Sequence, residues 1–519
     1  MTADRSHFNA GIAALEARNL PGAAASFEHA LESDPGDREA RYRLANAYRD
    51  LHRLDEAERE MRALLAMQPQ DAKTLSGLGV ILTESGRPAE AVQAFADAMT
   101  ADPTYRQAAV NWLHTQQYVP GATDESLAQS HARFAALHAP AVPPQQFLNS
   151  PVRDRLLMVG FVTGELGLHP VGRLSVQLFE HLRSHGITAC VFSTRPAEFE
   201  DEISRRIARV TRWTSVFGLS DASLAHFIKA SKVDVLVDMS GHTGAGRPGV
   251  FMERAAPVQV SWLGYPGTTG IPAMDYLLTT ETLAPPGFEA FANERIFRLP
   301  STHACFEAPD APPVMERPAA RNGYITFGCF NNPAKISDEA IASFAAILKR
   351  VPGSRLKIQY QALRAPGLVA RLYAKLEAHG IARTRADLSA EASRTAFLSG
   401  YDGVDIALDS FPYSGCMTTC EALWMGCPVV ARTGDIMAGR QAAGVLAAAG
   451  LSEFIARDRA GFEDLAVSLA QDAHRLTLLR TGLRTMLSRS PLCDGGLFAR
   501  EFTTAMRTMW ADWCERQGG

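Results

Sequence analysis

The chain has little of what marks several functional classes. No apolar run reaches 18 residues, so no segment reads as a membrane-spanning helix, and the opening MTADRSHFNAG lacks the basic-then-apolar order of a secretory leader. No C-x-x-C pair occurs among the eight cysteines, and Cys416, Cys420 and Cys427 lack zinc-ligand spacing. Reduced thiols and a cytoplasmic location are the expectation. H-E-x-x-H, Walker and D-x-D sequences are all missing, so no metal site is expected. Charge surplus is missing too. A net charge of -4 gives no bulk case for nucleic acid or an acidic membrane as the main partner. What is present is an ordinary globular composition, 46% hydrophobic and 21% charged, in 519 residues, enough for about three domains.

The first hundred residues repeat. Pro35, Pro69 and Pro103 recur at one spacing, and Gly11, Ala45 and Gly79, then Ala23, Ala57 and Ala91, then Phe27, Met61 and Phe95, recur in phase with them. Small residues let paired helices approach, large ones fill the space between, and each proline ends a unit. This is the tetratricopeptide (TPR) pattern, with repeats over 4–37, 38–71 and 72–105. Two readings stay open: a concave surface for a protein partner, or a folded spacer or dimerisation arm, which would make a homo-oligomer. RQAAVNWLHTQQYV and DESLAQSHARFAALHA extend the helical region to about residue 140. The proline-rich APAVPPQQFLNSP then marks a boundary.

From Leu156 the period changes. LLMVGFV, TACVFS, DVLVDMS and VQVSWLGY read as buried strands, with helices VGRLSVQLFEHLRSHG and DASLAHFIKAS between them. Leu299–Pro318, with five prolines, is a second linker. The alternation restarts with YITFGCF, DEAIASFAAILKRVP and RLKIQY, and Phe498–Arg516 reads as a last helix. The expected domains are an N-terminal all-α repeat solenoid (1–140), two α/β lobes with parallel, Rossmann-like sheets (151–310 and 320–490), and a C-terminal helix (495–519). The ligand site is expected in the cleft between the lobes.

One stretch concentrates the chemistry: LDSFPYSGCMTTCEALWMGCPVV, Leu408–Val430. It reads as a strand end, a Pro/Gly loop, a short helix and another strand. Ligands bind outside the carboxyl ends of such strands, and a helix N-terminus there suits a phosphate, with Thr418 and Thr419 adding hydroxyls. The competing reading is a capping box in which Thr418 and Glu421 satisfy one another's backbone N–H groups. Lys335, in FNNPAKIS after the first strand of the second lobe, can neutralise a phosphate as a point charge. His169 directly precedes Pro170 at a helix N-terminus, where the dipole should keep it neutral and able to accept a proton. The alternative is a hydrogen-bonded structural histidine. His242, after DVLVDMS, can orient a substrate or simply bind loop backbone.

Five segments in order resemble the O-linked N-acetylglucosamine transferase and SPINDLY-type glycosyltransferases: GFVTGELGLHPVG, APVQVSWLGYPGTTGIPAMDY, ITFGCFNNPAKIS, AILKRVPGSRL and the Leu408–Val430 stretch. The resemblance implies repeats joined to a two-lobed GT-B region. It also implies inverting, metal-independent transfer of a sugar from a nucleotide diphosphate to Ser or Thr of a protein. By that resemblance His169 is the active-site histidine, Lys335 contacts the donor diphosphate, Thr418 and Thr419 hold phosphate, and Glu421 holds ribose. Asn332 joins the donor side; Tyr265 joins His242 on the acceptor side. Three departures concern the donor. Met417 stands where the N-acetylglucosamine enzymes have histidine, Phe397 where they have a base-side histidine, and the TTCEALWMG spacing is one residue shorter, as in SPINDLY. UDP-N-acetylglucosamine and GDP-fucose are thus both candidate donors. Acceptors implied by analogy include flagellin. The rivals are an asparagine glucosyltransferase and a non-catalytic repeat scaffold.

Overall fold

A computed structural model describes residues 5–139, 145–391 and 393–518. The expected linker over 139–151 falls partly outside them. Eight helices form the N-terminal array: α1 Ser6–Glu16, α2 Leu20–Ser33, α3 Arg38–Asp50, α4 Leu54–Met67, α5 Ala72–Glu84, α6 Pro88–Ala101, α7 Arg106–Gln116 and α8 Asp124–His138. The repeat logic is realised in contacts. A Cβ added to Gly11 would lie 2.5 Å from the Phe27 ring, and one added to Gly79 would lie 2.6 Å from the Phe95 ring. Asp37 and Asp71 cap α3 and α5 by accepting backbone N–H bonds.

The array is not a free-standing arm. Leu75, Met99, Ala108, Leu113 and Phe134 share one apolar core with Val162, Phe192, Leu224 and Val250 of the first lobe. On the other side, Gly367 N donates to Asp55 at 2.8 Å and Arg371 donates to the Ser85 carbonyl at 3.1 Å, which joins α4 and α5 to the second lobe.

The first lobe carries seven parallel strands: β1 Leu157–Thr163, β2 Ile187–Ser193, β3 Arg212–Ser215, β4 Val235–Asp238, β5 Val258–Ser261, β6 Tyr276–Thr279 and β7 Arg295–Arg298. Their order is β3-β2-β1-β4-β5-β6-β7. The second lobe carries six: β8 Thr326–Cys329, β9 Arg355–Gln359, β10 Ala386–Ser389, β11 Ile406–Leu408, β12 Val429–Arg432 and β13 Ile455–Ala456, in the order β10-β9-β8-β11-β12-β13. Both sheets start in the middle and wind outward twice, the doubly wound arrangement expected of alternating strands and helices. The last helix, Gly495–Gly518, returns to the first lobe, where Phe498, Phe502, Met506 and Trp510 are fully buried beneath its sheet.

Two local expectations fail. The helix read over residues 171–186 breaks into Pro170–Arg173 and Val176–Leu182. The inter-lobe segment causes the break: Cys305 N and Glu307 N take the carbonyls of Leu174 and Arg173, which a continuous helix would use itself. The short strands β3, β6 and β7 and the helix Glu202–Val210 have no counterpart in the strand pattern read from the sequence.

Candidate active site

The loops after β1 and β8 face one another across the cleft, and each is set by its own strand end. In the second lobe, Asp409 follows β11 and is fully buried. Its Oδ1 accepts from Gly415 N at 2.7 Å and from Asn331 Nδ2 at 2.9 Å. Asn331 Nδ2 also donates to Ser410 Oγ at 2.8 Å, and Asn331 Oδ1 accepts from the Thr418 hydroxyl. The Pro/Gly loop is thereby tied to the β8 loop, which aims the helix Met417–Trp424 into the cleft.

Among the described residues, no side chain caps that helix. The capping box does not form: Thr418 bonds Asn331, the Thr419 hydroxyl donates to the Gly415 carbonyl, and Glu421 pairs with Arg394. An uncapped N-terminus leaves its first N–H groups to a ligand. Beside it stands Lys335, its Nζ 3.2 Å from the Ser414 carbonyl and 4.0 Å from the centre of the Tyr413 ring. Burial lowers the pKa of this ammonium to about 8, against the opposing pull of Asp409. Asn332 lines the same cavity, but its side chain caps the turn Pro333–Lys335 by accepting from Ala334 N at 3.1 Å. Its neighbour Asn331 is the residue that reaches Thr418.

The facing wall comes from the loop after β1. A Cβ on Gly172 would strike the Gly167 backbone, so the loop closes on itself only because residue 172 is glycine. His169 is the N-cap of the short helix that follows. Its Nδ1 accepts from Val171 N at 3.3 Å, which leaves the proton on Nε2. The ring is exposed at the cleft lip. Its pKa is lowered, first by desolvation from the protein packed around it and then by Arg195, so it is neutral as expected.

Glu165, in the same loop, is the group the sequence reading passed over. It accepts from the Ser240 hydroxyl at 3.0 Å and the Thr243 hydroxyl at 3.1 Å, and burial raises its pKa to about 7. A carboxylate on a glycine-flanked loop, four residues before the histidine, was the available signal.

Glu165, His169, Asn332, Lys335, Met417 and Thr418 all line one cavity of about 320 Å³. A second, of about 340 Å³, adjoins it and is lined by Arg394, Phe397, Glu421, Tyr360 and Gln361. The two share Pro170, Tyr360, Met417 and Thr418, so together they form one trough with the helix N-terminus at its middle. Such a trough fits an elongated ligand with a central anion.

His242 and Tyr265 do not line it. His242 is fully buried, with Nε2 2.7 Å from the Thr269 carbonyl, and its ring packs against Phe134 of α8 at 4.7 Å. Tyr265 is 3% exposed and its hydroxyl lies 2.8 Å from His131 Nε2, also on α8. The strand edge expected to be open is covered by the helical array.

Comparison with known proteins identifies the family. The profile of glycosyl transferase family 41 matches residues 116–308 and 315–502, and tetratricopeptide repeats match 8–72 and 42–106. The probable UDP-N-acetylglucosamine–peptide N-acetylglucosaminyltransferase SPINDLY of Solanum lycopersicum is 33% identical over 423 residues, 80% of this chain and 45% of that protein. The protein of the same description named SEC, from Arabidopsis thaliana, is 26% identical over 374 residues, 70% of this chain and 38% of that protein. The chain thus spans less than half the length of these relatives. A lysine-to-methionine variant of the O-GlcNAc transferase of Thermobaculum terrenum superposes with a TM-score of 0.93 at 32% identity, covering 99% of this chain and 98% of that one. With well over half of its length matched in both lobes, the chain belongs to glycosyl transferase family 41.

Proposed function

We propose that the protein transfers a sugar from a nucleoside diphosphate sugar to a serine or threonine hydroxyl of a protein, with inversion and without a metal ion. The observation that carries this reading is the trough, with Lys335 and an uncapped helix N-terminus at its centre and a nucleoside-sized pocket to one side. The diphosphate rests on Thr418, Lys335 and the free N–H groups of the helix N-terminus; the Thr419 side chain is buried away from both cavities, its hydroxyl on the Gly415 carbonyl. Glu421, oriented by Arg394, takes the ribose hydroxyls, and Phe397 offers a ring to the base.

The chemistry follows from the two walls. The acceptor oxygen forms its bond to the anomeric carbon while the bond to the diphosphate breaks, and that electron pair passes to a phosphate oxygen. Lys335 and the helix N–H groups stabilise the departing charge, as preorganised donors do in a site shielded from water. That stabilisation replaces a divalent ion. Attack comes from the first lobe, opposite the diphosphate, which is the geometry of inversion. His169 presents Nε2–H, a donor, so the group on this wall that takes the acceptor proton is Glu165, whose raised pKa suits a general base near neutral pH. The concave face of the repeats receives the acceptor protein.

The test is calorimetry of the full chain with UDP, GDP, UDP-N-acetylglucosamine and GDP-fucose, followed by incubation with a Ser/Thr peptide library and intact-mass analysis. One nucleotide should bind with micromolar affinity, and its conjugate should add one sugar mass to hydroxyl peptides, undiminished by EDTA. Binding with no mass gain on any peptide would favour a scaffold. A gain confined to asparagine peptides would reassign the acceptor.

A further inference from the structure

The seventh helix of the N-terminal array reaches the trough. His114, on the last turn of α7, lines the 320 Å³ cavity together with Glu165, Thr243, Lys335 and Gln441. Its ring meets Tyr118 edge-on at 5.4 Å, with Nε2 3.4 Å from the Tyr118 hydroxyl. Tyr118 stacks on Tyr413 at 4.9 Å and 14°, and Tyr413 is the ring over which the Lys335 ammonium sits. One aromatic stack therefore sets both His114 and Lys335. Burial, and then the Lys335 charge, lower the His114 pKa to about 4. The neutral ring has one donor and one acceptor nitrogen.

The order of groups along the trough fixes what His114 faces. Arg394, Phe397 and Glu421 line only the pocket on one side of the shared residues Met417 and Thr418; His114, Glu165, Thr243 and Gln441 line only the cavity on the other. A ligand with its diphosphate on the Met417 helix and its nucleoside beside Phe397 must place its sugar on the His114 side. The joint is braced from both bodies. Asp124, at the start of α8, accepts from Arg440 at 2.7 Å and from Met437 N at 3.0 Å, next to Gln441 on the second lobe. The family match begins at residue 116, so it assigns nothing to His114.

We propose that His114 hydrogen-bonds a polar substituent of the donor sugar, so that the repeat array supplies part of the sugar pocket. This rests on the donor reading above. The experiment compares full-length wild type, His114→Ala and His114→Gln by calorimetry with UDP and GDP alone and with UDP-N-acetylglucosamine and GDP-fucose. His114→Ala should bind the nucleoside diphosphate within twofold of wild type, which also shows that it is folded, yet bind the conjugate roughly tenfold more weakly, as loss of one hydrogen bond of about 1.4 kcal/mol would give. His114→Gln should recover part of that loss. Equal loss for nucleotide and conjugate, or no loss for either, would overturn the proposal while leaving the donor reading standing. Wild type that binds none of the four ligands would overturn the donor reading, and this proposal with it.

Discussion

The two lobes share one winding order, yet the loops after their first strands do opposite work. The loop after β8 carries Lys335 beside an uncapped helix, a fixed positive site with the buried Asp409 beneath it. The loop after β1 carries Glu165 and His169, a half-buried carboxyl with a raised pKa and a neutral imidazole. Equivalent positions in a fold thus do not fix chemistry; neighbours do. Asp409 helps the buried lysine keep its charge, whereas burial, against the opposing pull of two hydroxyls, leaves the glutamate poised to take a proton. The second lobe should therefore govern donor affinity and leaving-group charge, and the first should govern the proton.

Breaking the second-lobe half should cost most. Lys335→Ala is expected to lower kcat roughly 1000-fold, the upper range for losing one preorganised charge-stabilising donor, and to weaken nucleoside diphosphate binding as well. Steady-state kinetics and calorimetry check both. A loss below tenfold in kcat would mean that the helix N-terminus alone carries the leaving-group charge.

Breaking the first-lobe half should leave donor affinity intact. Glu165→Gln keeps the shape and one of the two acceptor oxygens that Ser240 and Thr243 use, but removes the base, so kcat should fall roughly 100-fold with donor KM within twofold. A raised KM with unchanged kcat would make Glu165 a binding group and return the proton to a phosphate oxygen.

The legibility of the site follows the same division. Lys335, Thr418, Thr419 and His169 stood out because each lies in a short contiguous motif just past a strand, where local pattern alone places a residue at the sheet edge. Arg394 and Asn331 matter through partners far along the chain, Glu421 and Thr418, and His114 reaches the trough only because Tyr118 stacks on Tyr413 of the second lobe. No local period encodes such pairings. His242 and Tyr265 misled for a related reason. Their strand edge is open in a two-lobe sheet and closed once α8 packs Phe134 and His131 over it. The fold itself was largely readable, since three repeats and long alternating segments repeat a strong signal, whereas four-residue strands such as β3 and β7 lie at the sheet margins and carry little hydrophobic pattern.

The comparison sharpens with pH. The carboxyl of Glu165, raised to about 7, must be deprotonated to act, so activity should rise as pH climbs through 7. The ammonium of Lys335, lowered to about 8, must stay protonated, so donor affinity should fall above 8 by up to roughly tenfold per unit, until the pKa of the lysine in the complex is reached. A bell in kcat/KM is the expected profile. Glu165→Gln should erase the acid limb alone. A Glu165→Gln enzyme that kept the full bell would show that another group sets that limb.

The smallest effect separates the two ends of the second lobe. Phe397 lines only the nucleoside pocket and meets Phe330 edge-on at 5.6 Å, so its ring is held in place before any ligand arrives. Phe397→Leu keeps most of the apolar contact and removes the aromatic face. The expected loss is about 1 kcal/mol, roughly fivefold in nucleoside diphosphate affinity, with kcat at saturating donor unchanged, because the base does not alter charge between ground and transition states. Calorimetry with UDP and GDP, and kcat at saturation, measure the two sides. A fall in kcat without a fall in affinity would place the base elsewhere, and the division between a binding lobe and a proton-handling lobe would then have to be redrawn around Lys335 alone.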